Sequence, residues 1–221
     1  MTTMNDQQLF DRMTESLYAA VISDTLDELG YRDQVMRENI NPIDPNWVVA
    51  GRAKTILSVD VHYIPENPYE QEIAAVDSIK PNEVVIGCTN ESLQNGLWGE
   101  LLSTASKMRG ARGAIVDGLI RDTKKILELG FPVFATGTKP VDSQGRGLVI
   151  QYDVPVKCGG VLVNPGDVIF GDRDGIVVIP AAIVDEVVKR ALDKATRENH
   201  TRDELLQGRT LRQVYDKYGV L

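Results

Sequence analysis

"GAIVDGLIRDTKKILELGFPVFAT", residues 113–136, sets the fold class. The run "AIV" at 114–116 reads as a strand, "DTKKILEL" at 122–129 as a helix stopped by Gly130, and "PVFAT" at 132–136 as the next strand. Strand, helix and strand in so short a span form a βαβ unit with its strands parallel. Ligands of such units collect beyond the carboxyl ends of the strands. Asp117, Gly118, Arg121 and Asp122 all come after "AIV" and precede the helix.

The same alternation continues upstream. "EVVIGC" (83–88) reads as a short buried strand, and "NPYEQEIAAVDSI" (67–79) is helix-like. "AKTILSVDVHY" (53–63) alternates, with Ala53, Leu57, Val59 and Val61 on one side and Lys54, Ser58, Asp60 and His62 on the other. That pattern predicts a half-buried strand. From Gly99 the spacing turns helical through Leu101, Leu102, Ala105 and Met108 and stops at Gly110. At the amino end, Phe10, Met13, Leu17 and Val21 predict one or two helices over 7–29, with Ser23 or Asp24 capping the second.

Beyond residue 140 the character changes. "LVIQYDVPVKCGGVLVNPGDVIFGDRDGIVVIP" (148–180) is a series of short β-rich runs, which predicts a compact antiparallel or barrel-like layer. A long helix over 181–206 comes next, then a short one where Thr210 and Gln213 fit a capping box and Gly219 makes the stop. The expectation is one α/β domain, with helices at 1–45, an α/β core at 46–180 and helices at 181–221.

Composition bounds the function. The formal charge is 24 − 32 = −8, with no basic cluster, so a nucleic-acid partner is not expected. No apolar run approaches the roughly 18–20 residues that cross a bilayer, and "MTTMNDQQLFDRM" has no secretory pattern. No membrane association and a cytoplasmic location are the expectations. Cys88 and Cys158 stand alone in apolar surroundings and read as free buried thiols.

Two loops carry the chemistry. Arg121 offers a planar fork for a carboxylate, and Asp122 a hard oxygen for Mg²⁺ or Mn²⁺. The competing reading makes Asp122 a helix cap and pairs Arg121 with a surface acid. Gly99 precedes a helix whose first N–H groups lack intrahelical acceptors, and Glu100 sits at that terminus. Together these residues supply anion donors, a guanidinium, a metal-ligand acid and a base, the set needed for enolate chemistry on a 2-oxo acid.

"GELLSTASKMRGARGAIVDGLIRD" (99–122) resembles the RraA-like family, which includes the class II 4-hydroxy-4-methyl-2-oxoglutarate / 4-carboxy-4-hydroxy-2-oxoadipate aldolases. The resemblance rests on an acid, a gap of twenty residues and Arg-Asp, here Glu100, Arg121 and Asp122. The aldolases commonly carry Asp at the first position, so Glu100 departs by one methylene. "ISDTLDELG", "GRAKTI", "NPGDVIFGDRDGIVVIP" and "VYDKYGVL" extend the likeness from about residue 17 to the end.

The resemblance implies a swivelling β/β/α fold assembled as homotrimers or homohexamers, with the site near a subunit boundary. It implies substrate contacts at Gly99, Glu100, Leu101 and Leu102, a pyruvyl contact at Arg121 and a divalent metal, Mg²⁺ or Mn²⁺, at Asp122. It also implies a neighbouring subunit's glutamate approaching the metal's water shell, for which Glu198 is the candidate. The expected activity is metal-dependent retro-aldol cleavage releasing pyruvate, with oxaloacetate decarboxylation as a side activity. Glu100, directly or through water, is expected to take the substrate's hydroxyl proton, and Arg121 to steady the pyruvyl oxygen. The alternative is a non-catalytic module of the ribonuclease E inhibitor type.

Other motifs have ordinary explanations. "GDRDG" (171–175) lacks the remaining ligands of a calcium loop and reads as a β-turn. His62 and His200 have no zinc spacing. Lys107, Lys124 and Lys125 read as solvated helix positions rather than Schiff-base lysines.

Overall fold

The computed structural model describes residues 5–220. The first four residues of the amino-terminal segment and the last of the "VYDKYGVL" ending lie outside them. Two helices, α1 (Asp6–Ser16) and α2 (Ala19–Glu28), precede the short β1 (Asn41–Pro42) and the long β2 (Val49–Asp60). Then come α3 (Glu70–Asp77), β3 (Glu83–Cys88), β4 (Gly96–Trp98), α4 (Glu100–Met108), β5 (Gly113–Ile120), α5 (Thr123–Leu129) and β6 (Val133–Thr138). The β-rich part supplies β7 (Gly147–Tyr152), β8 (Val156–Cys158), β9 (Val161–Val163), β10 (Val168–Asp172) and β11 (Gly175–Ile179). Helices α6 (Val184–Leu206) and α7 (Leu211–Tyr218) complete the described chain.

One nine-stranded sheet organises these elements, in the order β1-β6-β5-β3-β2-β10-β11, with β4 on β5 and β7 on β2. Its centre, β2-β3-β5-β6, is parallel, as the βαβ reading requires. The expected antiparallel strands are present, but β7, β10 and β11 join the same sheet, curling it toward a barrel. Among the described residues, only β8 and β9 form a separate two-stranded sheet.

Strand alternation sorts the core into layers. Val84, Ile86 and Cys88 of β3 point toward the β8–β9 hairpin, with Val156, Cys158 and Val163. Val85 points the other way, joining Val116, Val133 and the helical residues Val76 and Ile126. Further along, Val168, Phe170, Val177 and Ile179 face Phe10, Ile22, Val187 and Ala191 of the terminal helices. The helices at both ends therefore cover one face of the β10–β11 part of the sheet.

Several local expectations are corrected. The strand predicted through Tyr63 ends at Asp60, and its polar positions are not on a wet face: Lys54 and Ser58 are buried. β2 pairs along both edges and is covered on both faces, so alternation does not report solvent here. Lys54 is held by Asp153 and Ser78, each at 2.7 Å, and lies over the Tyr152 ring. Ser23 and Asp24 sit inside α2 and do not cap it. The chain breaks at Leu17–Tyr18 instead, and Asp172 of the "GDRDG" turn accepts from the Ala19 N–H at 2.8 Å. A tertiary contact thus supplies the cap, a partner that local sequence does not reveal.

Asp117 and Gly118 also move. β5 runs on to Ile120, so both lie within the strand and not beyond it. Asp117 is buried, accepting from the Thr89 N–H and hydroxyl at 2.5 and 2.9 Å. The thiols of Cys88 and Cys158 are free and buried as expected, and burial pushes Cys88 up to about 12. No described helix is long and apolar enough to cross a membrane.

Candidate functional site

Short β4 explains how the two loops meet. It lies parallel to the last residues of β5, pairing Gly96 with Leu119 and Trp98 with Ile120. Both strands therefore finish side by side, and their exits converge: Gly99 and α4 lie beyond one, Arg121, Asp122 and α5 beyond the other. The Arg121 N–H donates to the Trp98 carbonyl at 2.8 Å, which ties the loops directly. Trp98 is buried and donates through its ring nitrogen to Ser103 at 2.8 Å, and Ser103 donates to the Gly99 carbonyl at 2.9 Å. The start of α4 is thereby fixed against the sheet.

Gly99 is the helix N-cap and has no side chain to satisfy the first turn. Into that space comes the Asp122 carboxylate, accepting from the Glu100 N–H at 3.4 Å. A Cβ at Gly99 would stand 2.7 Å from Asp122 Oδ2 and 3.3 Å from Arg121 Cγ. Gly99→Ala should therefore displace the carboxylate without breaking the fold. A misplacement of about 1 Å costs on the order of 100-fold in activity, so the expected result is that loss with a melting temperature close to wild type.

Asp122 holds the N-cap position of α5 yet makes no cap hydrogen bond there, which removes the capping explanation for it. Its backbone is left-handed, at φ 61°, a conformation that costs a non-glycine residue energy and that Asp tolerates better than most. The turn aims its carboxylate back at α4 and at Arg121, whose Nε lies 3.7 Å from Oδ2.

Arg121 has a second acid that the sequence did not disclose. Its terminal nitrogen lies 3.3 Å from Asp142, in the loop between β6 and β7. Asp142 also accepts from the Tyr69 hydroxyl at 2.7 Å. That bond, with burial second, pushes the Tyr69 hydroxyl up from its ordinary value.

These groups surround a cavity of about 340 Å³. Tyr69, Glu72, Arg121, Asp122 and Asp142 supply its polar lining, and Leu97, Leu101 and Leu102 are among its apolar side chains. Glu72 was also unforeseen. It is buried in α3, and burial first, then the Asp142 charge, push its carboxyl up to about 7 against the partial opposition of Arg121. In retrospect Glu72, Ala75, Val76 and Ile79 share helical spacing, so an acid stands on a buried face. For Asp142 no such signal exists.

Burial of Glu72 makes stability depend on pH. The folded carboxyl lies above the ordinary glutamate value of 4.5, so its contribution is complete below 4.5 and is lost as pH rises through about 7. Glu72→Gln imitates the protonated form. It should match wild type in melting temperature at pH 5 and exceed it at pH 8, by a margin on the order of 3 kcal/mol. Thermal melts at the two pH values check this.

Of the other expected residues, Leu101 and Leu102 line the cavity, while Glu100 and Glu198 do not. Glu100 accepts from the Thr104 hydroxyl at 3.0 Å, along its own helix. Leu101 is 76 % exposed and Leu102 half-buried, while the helix buries Ser103 and Ser106. Glu198 stands apart, on α6, hydrogen-bonded to Tyr18 of the same chain. One chain does not bring it to Arg121 and Asp122, and the expectation had placed it on a neighbouring subunit. Among the lysines, Lys107 donates to the Leu129 carbonyl at 2.6 Å, and Lys124 and Lys125 are exposed.

Comparison with known proteins adds to this geometry. The family model described as RraA-like, Aldolase/RraA, matches residues 19–178. A Halalkalibacterium halodurans protein named "Putative 4-hydroxy-4-methyl-2-oxoglutarate aldolase" is 31% identical over 173 residues, 78% of this chain and 77% of its own. Protein DlpA of Legionella pneumophila is 28% identical over 204 residues, which are 90% of this chain but only 32% of that longer protein. Among solved structures, Streptomyces coelicolor RraAS2, described as an unusual member of the RNase ES inhibitor RraA protein family, superposes with a TM-score of 0.80. It is 31% identical, and the match covers 91% of this chain and 99% of that one.

Proposed function

The chain belongs to the RraA-like family, and on that basis we propose that it is a divalent-metal-dependent pyruvate aldolase cleaving a 4-hydroxy-2-oxo acid. The observation that carries this reading is the meeting of Gly99, Arg121 and Asp122 at one cavity, with the Asp122 side chain turned away from its own helix and toward the start of α4. A regulatory surface has no evident use for a guanidinium set between Asp122 and Asp142 at the mouth of a helix whose N-cap residue is a glycine.

The residues fit a hydrated metal ion. Among the described residues no three His, Cys, Asp or Glu side chains gather to cage one. Mg²⁺ is commonly held by one or two carboxylates and keeps several waters. Asp122, with a half-exposed carboxylate, would be that ligand, and Glu198 of a neighbouring subunit would approach the water shell. Such an ion, when bound, supplies positive charge for the pyruvyl oxygen.

The chain's own groups do the rest. Arg121 orients the pyruvyl unit and steadies the oxygen that gains charge as the carbon–carbon bond breaks. The free N–H groups of Leu101 and Leu102 at the first turn of α4 face the same ligand. Glu100 takes the substrate's hydroxyl proton through water, since its carboxylate lies along its own helix beside Thr104 and does not line the cavity. Oxaloacetate decarboxylation uses the same stabilisation, since it too yields a pyruvate enolate. The exposed Leu101 and Met108 on α4 support burial of this rim in a homotrimer or homohexamer.

Borohydride reduction with pyruvate separates this chemistry from a Schiff-base aldolase. The expected outcome is no covalent labelling of Lys107, Lys124 or Lys125, and loss of pyruvate release on adding EDTA with recovery on excess Mg²⁺. Labelling, or indifference to EDTA, would contradict the metal-dependent reading. The likeness to the RNase ES inhibitor relative favours a second reading, a ribonuclease-binding module. Its mark would be capture of the chain by the ribonuclease's C-terminal region, undiminished in Arg121→Ala.

A further inference from the structure

The cavity holds three carboxyl groups, and two are already occupied. Asp142 is engaged by Tyr69 at 2.7 Å and Arg121 at 3.3 Å. Asp122 receives the Glu100 N–H and lies beside the Arg121 side chain. Glu72 makes no hydrogen bond or ion pair among the described residues, although it is 9 % exposed and lines the cavity. A buried carboxyl left without a partner is costly to ionise. The first turn of α3 favours an acid through the helix dipole, but that does not require the acid to be buried, and Ala75, Val76 and Ile79 beside Glu72 face apolar core.

Position gives that carboxyl a use. Arg121 and the first turn of α4 would take the charged end of a pyruvyl unit, and Glu72 lines the same cavity with a carboxyl that has no partner of its own. Leu97 and Ile73, the residue next to Glu72 on α3, give the cavity apolar surface for the uncharged end. Resting on the aldolase reading above, we infer that Glu72 is a catalytic residue, the acid that protonates C3 of the pyruvate enolate. Its role differs from that of Glu100, which handles the hydroxyl proton.

The step balances. Cleavage leaves the electron pair of the broken C3–C4 bond in the enolate, with negative charge on the C2 oxygen. The Glu72 carboxyl gives its proton to C3, the C2 carbonyl reforms, and pyruvate carries a new methyl hydrogen. Glu72 is left as a carboxylate and recovers a proton from water. In reverse, the carboxylate removes a methyl proton from pyruvate. A carboxyl held near neutrality serves both directions, and burial with the Asp142 charge pushes Glu72 up to about 7. The charged or titratable groups facing it across the cavity are Asp142, Tyr69, Arg121 and Asp122.

The test is exchange of pyruvate methyl hydrogens in D₂O, followed by NMR with Mg²⁺ present. Wild type should exchange them, with a rate that bends near pH 7, and Glu72→Gln should lose about 100-fold or more. Pyruvate binding to Glu72→Gln, measured by titration, should stay within a few-fold of wild type, and its thermal melt shows that it folds. A carboxyl-carbon NMR titration of Glu72, without metal or substrate, should place its midpoint near 7. Exchange undiminished in Glu72→Gln, or a midpoint near 4.5, overturns the inference and leaves the aldolase reading standing. Loss of exchange together with loss of pyruvate binding also overturns it, because Glu72 would then only shape the cavity. Wild type that neither exchanges pyruvate nor cleaves an aldol overturns the aldolase reading, and this inference with it.

Discussion

Arg121→Ala is expected to lower retro-aldol turnover by about 100- to 1,000-fold, the usual cost of removing a donor aimed at developing negative charge. The loss should appear in kcat as well as in substrate affinity, because the guanidinium meets both the bound pyruvyl unit and the oxygen that gains charge. Arg121→Lys should recover little. An ammonium is a point charge and lacks the planar fork. It would also have to replace contacts to Asp122 and Asp142, 3.7 and 3.3 Å away, from a single nitrogen. Stability should change little, since the side chain is partly exposed and its ion pairs are weak in water. Steady-state kinetics with thermal melts checks both halves, and an Arg121→Ala enzyme within threefold of wild type would remove this residue from the site.

The second large effect belongs to Asp122. Asp122→Asn keeps the size of the side chain and the tolerance of the left-handed turn at φ 61°, so α5 should start as before. It removes the anionic oxygen, however. Losing an outer-shell partner already costs a metal site roughly 10- to 100-fold in affinity, and loss of the ligand itself should exceed that. The Mg²⁺ concentration for half-maximal activity should therefore rise by more than about 100-fold, while the melting temperature without metal stays near that of wild type. Asp122→Ala should lose as much activity and also some stability, because alanine tolerates the left-handed turn less well. Full metal-dependent activity in either variant would refute the assignment.

Much of this site was legible in the sequence because its parts are local. Arg121–Asp122 come after a strand of the βαβ unit, which places them at one end of the sheet, and Gly99–Glu100 open a helix whose first N–H groups lack intrahelical acceptors. How they are held was not legible. β4 is three residues long, too short to carry a period, yet its pairing with β5 is what aligns the loops. Asp142 reaches Arg121 from a loop with no motif, and Tyr69 steadies it from a segment distant in sequence. Glu72 did leave a trace, an acid at a core position of an amphipathic helix, which is the kind of local inconsistency expected at a functional site.

The fold shows the same division. The parallel centre and the terminal helices come from periodicity, since each buries one face. β2 misled because it is covered on both faces, and Lys54 is buried only by virtue of Asp153, Ser78 and Tyr152, distant in sequence. The start of α2 misled for a similar reason, its cap being Asp172 from the far part of the chain.

A metal-dependent aldolase stands or falls on pyruvate release from 4-hydroxy-4-methyl-2-oxoglutarate and from 4-carboxy-4-hydroxy-2-oxoadipate. Release would be monitored with Mg²⁺, then with EDTA, for wild type and Arg121→Ala in parallel. Release from at least one substrate, above the rate with Mg²⁺ alone, abolished by EDTA and lost in Arg121→Ala, is the predicted result. Release that ignores EDTA, survives in Arg121→Ala, or fails with both substrates would contradict it.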